Sequence, residues 1–327
     1  MNMTIRTEHP GDYNQIAEIN ELAFYSMLDA TQRSYVVEVA LVALLRHGRD
    51  YDPELAFVAE HDGKIVGHAL YYPYHIRVGG ETLRAVSLAP IAVHPEYQKQ
   101  GIGQMLMAVA HQRAAAKGYA FAFLLGHPTY YHKFGYQTGM FGACRLKVAI
   151  EQITGTAEGV QERLIQPADI PAFAAMWHDW FDDVDLALFP GDSLMEWVSH
   201  AAHIKSYAVE RNGELLGYLR YHRDNPADVK LFLAKDKETA SLLLAHLRSK
   251  LEGCDETRLR LPLYPNSRAV KAYLSVPYES HVEAWDAAMI KILDEKNATI
   301  AAYCNEVKQG NRQPGLLIYP PAIEIAE

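Results

Sequence analysis

Cysteine is scarce: Cys144, Cys254 and Cys304 are the only three in 327 residues, odd in number and widely spaced. No Cys-x-x-Cys pair or Cys/His grouping accompanies them, so neither a disulfide framework nor a metal site is expected. Long apolar runs are missing too. Nothing approaches the ~20 residues of a bilayer span, and the N-terminal MNMTIRTEHPGDY carries no basic-then-apolar leader. A cytoplasmic protein with no membrane partner is the expectation. Nor is there an excess of positive charge. The formal net charge of -9 works against phosphate backbones, so nucleic acid is not an expected partner, and it mildly favours a cationic substrate.

What is present is a globular composition, 49% hydrophobic and 22% charged, in a chain long enough for two cores. It also repeats itself. AFVAEHDGKIVGHALYY at 56–72 aligns with SYAVERNGELLGYLRYH at 206–222, so that Glu60, Gly67 and Tyr71 recur as Glu210, Gly217 and Tyr221. Each copy reads as a β-hairpin around Asp62-Gly63 or Asn212-Gly213, pairs that tolerate the positive φ of a tight turn. Upstream, Ile5 precedes Pro10-Gly11-Asp12 and Ile165 precedes Pro167-Ala168-Asp169, each aspartate a candidate helix N-cap with Gln15 completing a near capping box. Ile16, Ile19 and Ala23 form the buried face of the first helix, and Phe173, Met176, Trp177 and Trp180 that of the second. Tyr131 to Tyr136 echoes Tyr273 to Tyr278. A duplicated domain follows, with domains at 1–150 and 160–327 and a seam near Thr154 to Gly159.

Between the repeats lies PIAVHPEYQKQGIGQMLMAV. Gln98-x-x-Gly101-x-Gly103 falls where the strand Ile91-Ala92-Val93 hands over to a helix, so backbone amides there can face a diphosphate with the positive end of the helix behind them. Pro90 cannot donate to a ladder, which leaves the strand bulged or unpaired and open to an extended ligand. Ile102, Met105, Leu106, Val109 and Ala110 make one helical face, Lys117-Gly118 ends the helix, and Ala120 to Leu125 is an apolar buried strand. The second copy has Asp236-Lys237-Glu238-Thr239-Ala240-Ser241 in place of the glycine turn. Acids and β-carbons there would repel and hold off a diphosphate, so one anion site per chain is expected.

These motifs resemble the acetyl-CoA-binding core of the GCN5-related N-acetyltransferase (GNAT) superfamily. Gln98, Gly101 and Gly103 match its Gln/Arg-x-x-Gly-x-Gly/Ala motif, and Tyr130, Tyr131, Gly135 and Tyr136 its aromatic turn. LAPIAVHPEYQKQGIG and LLGHPTYYHKFGY are similar to a bacterial subgroup of acetyltransferases within it. The resemblance covers about the first 145 residues. It implies a mixed α/β fold of tandem GNAT-like domains, each a twisted mixed sheet flanked by helices, with the fourth and fifth strands splayed in the first. Acetyl-CoA is implied as acyl donor, without a metal. Ile91, Ala92 and Val93 would meet its pantetheine, and Gln98, Lys99, Gln100, Gly101, Ile102, Gly103 and Gln104 its pyrophosphate.

An amine attacking a thioester must lose a proton, its oxyanion must be stabilised, and the departing thiolate must gain a proton. The Val93 amide is a candidate for the oxyanion. By resemblance Tyr131 protonates the thiolate, against the alternative of a packing aromatic. Many relatives carry a glutamate base on the fourth strand, but Val86 to Val93 holds no acid. His127 is the substitute considered first, with His68, His94, Glu21 or a water chain as alternatives, and His94 can instead cap its own loop. Thr31 to Arg46 and Tyr71 to Arg84 are expected to select the substrate. The function expected is N-acetyl transfer to a primary amine of a small molecule or protein; the rival is a CoA- or acyl-CoA-binding sensor or scaffold without turnover. A homo-oligomer is compatible with the chain.

Overall fold

The computed structural model describes residues 3–31, 33–318, 320–321 and 323–326. In chain order the first part comprises β1 (Met3–Thr7), α1 (Tyr13–Tyr25), α2 (Leu28–Thr31), α3 (Val37–His47), β2 (Ala56–His61), β3 (Lys64–Val78), β4 (Glu81–Val93), α4 (Ile102–Ala116), β5 (Phe121–Leu125), α5 (Pro128–Tyr131) and β6 (Phe141–Ala149). Then come β7 (Val160–Arg163), α6 (Ile170–Phe181), β8 (Ile204–Arg211), β9 (Glu214–His222), β10 (Asn225–Ala234), α7 (Lys237–Ser249), β11 (Arg258–Leu261), α8 (Arg268–Tyr273), β12 (Glu279–Ala284), β13 (Ala288–Ile292), α9 (Ala298–Lys308) and β14 (Gly315–Leu316).

Two mixed sheets result. One runs β1-β2-β3-β4-β5-β13 and the other β12-β6-β11-β10-β9-β8-β7, with β14 beside β6. In both, three antiparallel pairings lead to one parallel pairing, β4 with β5 and β10 with β11. Helices α4 and α7 supply the crossovers that parallel neighbours require. The mixed α/β fold with two twisted sheets is therefore as the sequence suggested.

The repeated residues have physical reasons. Asp62 and Gly63 take φ of 49° and 79°, and Asn212 and Gly213 take 52° and 80°, the paired left-handed conformation of the favoured two-residue hairpin turn. Gly67 lets α4 approach, since a β-carbon there would stand 3.0 Å from Ile102 and 3.1 Å from Leu106. At Gly217 it would stand 2.9 Å from Leu243 of α7 and 2.1 Å from the Leu233 carbonyl oxygen. Glu60 and Glu210 belong to twin clamps. Arg6 donates to Asp12 at 2.7 and 2.9 Å and to Glu60 at 2.8 Å; Arg163 donates to Asp169 at 2.7 and 2.8 Å and to Glu210 at 2.6 Å.

Those clamps overturn the N-cap expectation. Neither aspartate caps its helix. Their carboxylates are taken by the arginines and by the His9 and Gln166 amides, at 2.9 and 2.8 Å, because a bidentate charged partner outcompetes a single helix amide. Gln15 accepts from the Ile65 amide instead. On α4 the buried stripe is Ile102, Leu106, Met107, Ala110 and Ala114, while Met105 is exposed, so the face is rotated from the one expected.

The sheets do not follow a division at 150–160. β6 leaves the first half to lie between β11 and β12, and β13 returns from the second half to pair with β5. Each sheet is completed by a strand from the other half. Both strands carry apolar faces that need a neighbouring sheet: Phe141, Cys144, Leu146 and Val148 on β6, and Ala288, Met289 and Ile290 on β13, are buried.

Candidate active site

β4 and β5 pair only at Ala85–Phe121, Val86–Ala122 and Ser87–Phe123. Beyond Ser87 the two strands diverge, while β4 runs on to Val93 with a register shift against β3. The His94 amide donates to the Val66 carbonyl at 2.9 Å, so by strand alternation the Val93 N–H points away from β3, toward the open edge. Gln98 donates from Nε2 to the Val93 carbonyl at 3.1 Å, satisfying that acceptor. Ala92, opposite His68, lies on the alternate set facing β3.

The open edge leads to the N-terminus of α4. Lys99 and Gly101 take positive φ, 61° and 84°, turning the chain into the helix. The first intrahelical bond is Met105 N–H to Gly101 C=O at 3.1 Å, so the amides of Ile102, Gly103 and Gln104 have no partner within the helix. Among the described residues no side chain caps them. Gln98 differs from expectation, because its amide donates to Pro95 at 3.3 Å and is not free for a ligand. Gln100 holds the Glu96 carbonyl with its side chain. The contrast with α7 is direct: Asp236 accepts from the Thr239 amide at 2.9 Å and Thr239 Oγ1 from the Asp236 amide at 3.0 Å, closing that N-terminus with the protein's own carboxylate.

Tyr131 sits at the floor of the splayed cleft, in the short α5 turn. A β-carbon on Gly126 would stand 2.5 Å from Tyr131 Cε2, so the absence of a side chain there seats the ring. Tyr131 packs edge-on against Tyr130 and Tyr136, at 5.1 and 5.9 Å between centroids. Behind it, His111 Nε2 lies 2.9 Å from the Tyr136 hydroxyl and 3.2 Å from that of Tyr71. Burial, reinforced by the charge of Lys291, lowers His111 to about 4, so it is a neutral imidazole. Burial also pushes the Tyr131 phenol up to about 12, so it keeps its proton throughout the neutral range.

The turn depends on β13. Lys291 donates to the Phe134 carbonyl at 2.7 Å, Gln137 and Ile290 exchange amide hydrogen bonds at 2.8 and 3.0 Å, and Gly126 N–H reaches Ala287 at 3.0 Å. Sequence reasoning missed this support, because nothing near Lys291 signals a partner 157 residues away.

A cleft of about 360 Å³ opens between the strands. Ser87 to Ile91, Phe123 to Leu125 and Tyr131 line it, with Phe24 from α1, Glu38 and Leu41 from α3, Leu188, and Leu317 and Ile323 from the C-terminal segment. Of the two stretches expected to select substrate, Thr31 to Arg46 does contribute. Tyr71 to Arg84 does not: Tyr71, Tyr72 and Tyr74 are buried in the core and His75 faces solvent elsewhere. The base candidates also lie outside the lining. His127 is exposed at the start of α5, and Glu21 is exposed on α1. His94 Nδ1 accepts from the Glu96 amide, capping its own turn. His68 is fully buried, 3.0 Å from Glu8, which also receives Arg46 at 2.7 and 2.8 Å. Asp182, Asp183 and Asp185, which follow α6, hold structural partners: Asp183 and Asp185 pair with Arg268 and Arg312, and Asp182 faces His178.

A family profile for the acetyltransferase (GNAT) domain matches residues 4–139. The chain is 31% identical over 134 residues to the uncharacterized N-acetyltransferase YjhQ of Escherichia coli K12, covering 41% of this chain and 69% of that protein. To the uncharacterized N-acetyltransferase YhbS of the same strain it is 34% identical over 136 residues, covering 41% and 74%. As a fold it is similar to the crystal structure of a GCN5-related N-acetyltransferase from Kribbella flavida, with TM-score 0.64 and 18% identity over 90% of this chain and 71% of that one. The chain belongs to the GNAT acetyltransferase family, a class of acyl-CoA-dependent N-acyltransferases. The sequence relatives match about two-fifths of it, whereas the structural likeness extends across both sheets.

Among the described residues no helix is long and apolar enough to cross a membrane, and no three His, Cys, Asp or Glu side chains stand together as metal ligands.

Proposed function

We propose that this protein transfers an acetyl group from acetyl-CoA to a primary amine by direct attack. The reading is carried by one arrangement: uncapped amides at a glycine-turned helix N-terminus, at the mouth of a splayed strand pair, with a protonated phenol on the cleft floor. The amides from Lys99 to Gln104 receive the pyrophosphate, where orphan N–H groups and the helix dipole act together. Ile91 and Val93 offer main-chain groups to pantetheine along the unpaired edge of β4.

In the transfer, the neutral amine nitrogen bonds to the thioester carbon, whose oxygen takes the electron pair and is met by the Val93 N–H. The intermediate collapses, the C–S bond breaks, and Tyr131 gives its proton to the thiolate. The proton lost by the amine returns to solvent and thence to the phenolate, leaving an amide and CoA thiol in balance. An acyl-enzyme is disfavoured at Cys144, which is buried on β6 with its thiol pushed up to about 12 by burial, far from a reactive thiolate.

The test is free-thiol release from acetyl-CoA across an amine panel, alongside calorimetry with CoA. Turnover is expected with at least one amine class, and Tyr131→Phe should lower kcat by ~10²-fold or more with CoA affinity unchanged. Tight CoA binding without thiol release from any amine would replace the enzyme by a sensor.

A further inference from the structure

The acceptor side of the cleft has a composition that narrows the amine. Apart from Ser87 and the Tyr131 phenol, Glu38 is the only polar side chain among the cleft residues, and it is the only charged one. It is half-buried in the first turn of α3, and among the described residues it makes no hydrogen bond or ion pair. Glu8, Asp12, Glu60 and Asp185, by contrast, are committed: Glu8 to Arg46 and His68, Asp12 and Glu60 to Arg6, Asp185 to Arg312. The lining around Glu38 is apolar, from Phe24, Leu41, Phe123, Leu188, Leu317 and Ile323.

The chain stretches that supply the cleft continue that character. Among the described residues nine large apolar side chains are exposed, and six of them lie in the two stretches that supply the cleft. Leu22, Tyr25, Met27 and Tyr35 flank Phe24 and lead to Glu38; Leu125 and Tyr130 lead to Tyr131. Of these Leu125 lines the cleft itself, and apolar side chains at a concave site mark a ligand surface, where scattered ones would need no account.

We propose that the acceptor is a small monoamine with an apolar body, its ammonium drawn in by Glu38 and its body held by Phe24, Leu41, Leu188, Leu317 and Ile323. This rests on the acetyl-transfer reading for the chemistry and adds the substrate class. One carboxylate satisfies one ammonium. A polyamine would bring further charges, and an amino sugar several hydroxyls, against apolar walls that cannot pair them, at a steep desolvation cost. A lysine side chain offers an ammonium on a thin stem, leaving the apolar walls of the cleft unfilled or facing polar peptide groups. The second half of the chain gains a role thereby, because Leu188, Leu317 and Ile323 all come from beyond residue 160.

The experiment uses the full chain saturated with CoA, titrated calorimetrically with 2-phenylethylamine, 2-phenylethanol, spermidine and a lysine-containing peptide, in the native protein, Glu38→Gln and Glu38→Asp. Native protein should bind the amine at least ~10-fold tighter than the alcohol of the same body, the scale of a charge-assisted hydrogen bond. Glu38→Gln should abolish that ratio and Glu38→Asp restore part of it, with CoA affinity and melting temperature unchanged in both. In turnover with acetyl-CoA, Glu38→Gln should raise KM for the amine by about the same factor and leave KM for acetyl-CoA alone. An amine-to-alcohol ratio that survives Glu38→Gln overturns the proposal, as does tighter binding of spermidine or the peptide. Glu38-dependent amine binding without thiol release would sustain the acceptor site while removing the transfer reading, so the two failures are distinct.

Discussion

Replacing Gly126 by alanine tests the position of Tyr131 without touching its hydroxyl. Gly126 does not occupy the left-handed region, so alanine can take its backbone conformation unstrained. The added β-carbon would stand 2.5 Å from Tyr131 Cε2, 3.0 Å from Cδ2 and 3.1 Å from Leu124 Cδ1. Carbon atoms rest about 3.5–4.0 Å apart, so the ring must withdraw by about 1 Å. Its retreat is hindered by Tyr130 and Tyr136 on either side. A misplacement of that size costs ~10²-fold in rate, or about 2.7 kcal/mol of barrier, and overpacking of this kind costs about 1–3 kcal/mol of stability. Steady-state thiol release should therefore show kcat down ~10²-fold with KM for acetyl-CoA little changed, since the amides of α4 are untouched. The double variant with Tyr131→Phe should be no slower than Tyr131→Phe alone, because both changes act through one hydroxyl. A Gly126→Ala enzyme with native kcat, or a double variant that loses the product of the two factors, would refute the placement of the acid.

Gly101→Ala forces a β-carbon into φ 84° at the helix entry, and CoA affinity measured by calorimetry should fall ~5-fold or more while Tyr131-dependent chemistry per bound complex persists. Acid titration should expose Glu8: burial raises its carboxyl, but hydrogen bonds from His68 and Arg46 outweigh this and hold it at about 2 against 4.5. The folded chain then binds fewer protons than the unfolded one in that window, so this stabilisation is present above pH 4.5 and lost as pH falls toward 2. Urea midpoints measured from pH 6 to 3 should drop accordingly, and Glu8→Gln should flatten that slope while costing about 3 kcal/mol at neutral pH. A fragment ending at residue 150 should express insolubly, as centrifugation of the lysate will show, because it lacks β13 and leaves the apolar β5 as an open edge.

Much of the anion cradle was legible because it is local. Strand, glycine turn and helix lie within about thirty residues, and each demands a residue type by backbone geometry alone. The repeated clamps were half legible: Glu60 and Glu210 stood out by their offset, but their arginine partners needed the sheet to bring β1 beside β2 and β7 beside β8. The acceptor side was not legible. Leu188, Leu317 and Ile323 are ordinary apolar residues until the chain returns them to β4, and Glu38 looks like any first-turn acid on a helix. His127 drew attention by its chemistry and its strand-end position, yet the turn opening at Pro128 leaves it exposed outside the cleft lining.

The exchanged strands also set an order of events during synthesis. β5 leaves the ribosome near residue 121, yet the strand that covers it begins at Ala288, 167 residues later. At about 5–20 residues per second that is an interval of roughly 10–30 s in which the nascent sheet stands unfinished. β6 likewise waits for Arg258 to Leu261. Folding therefore cannot proceed half by half behind the translating ribosome; both sheets must close late and together, through contacts of high sequence separation that form slowly.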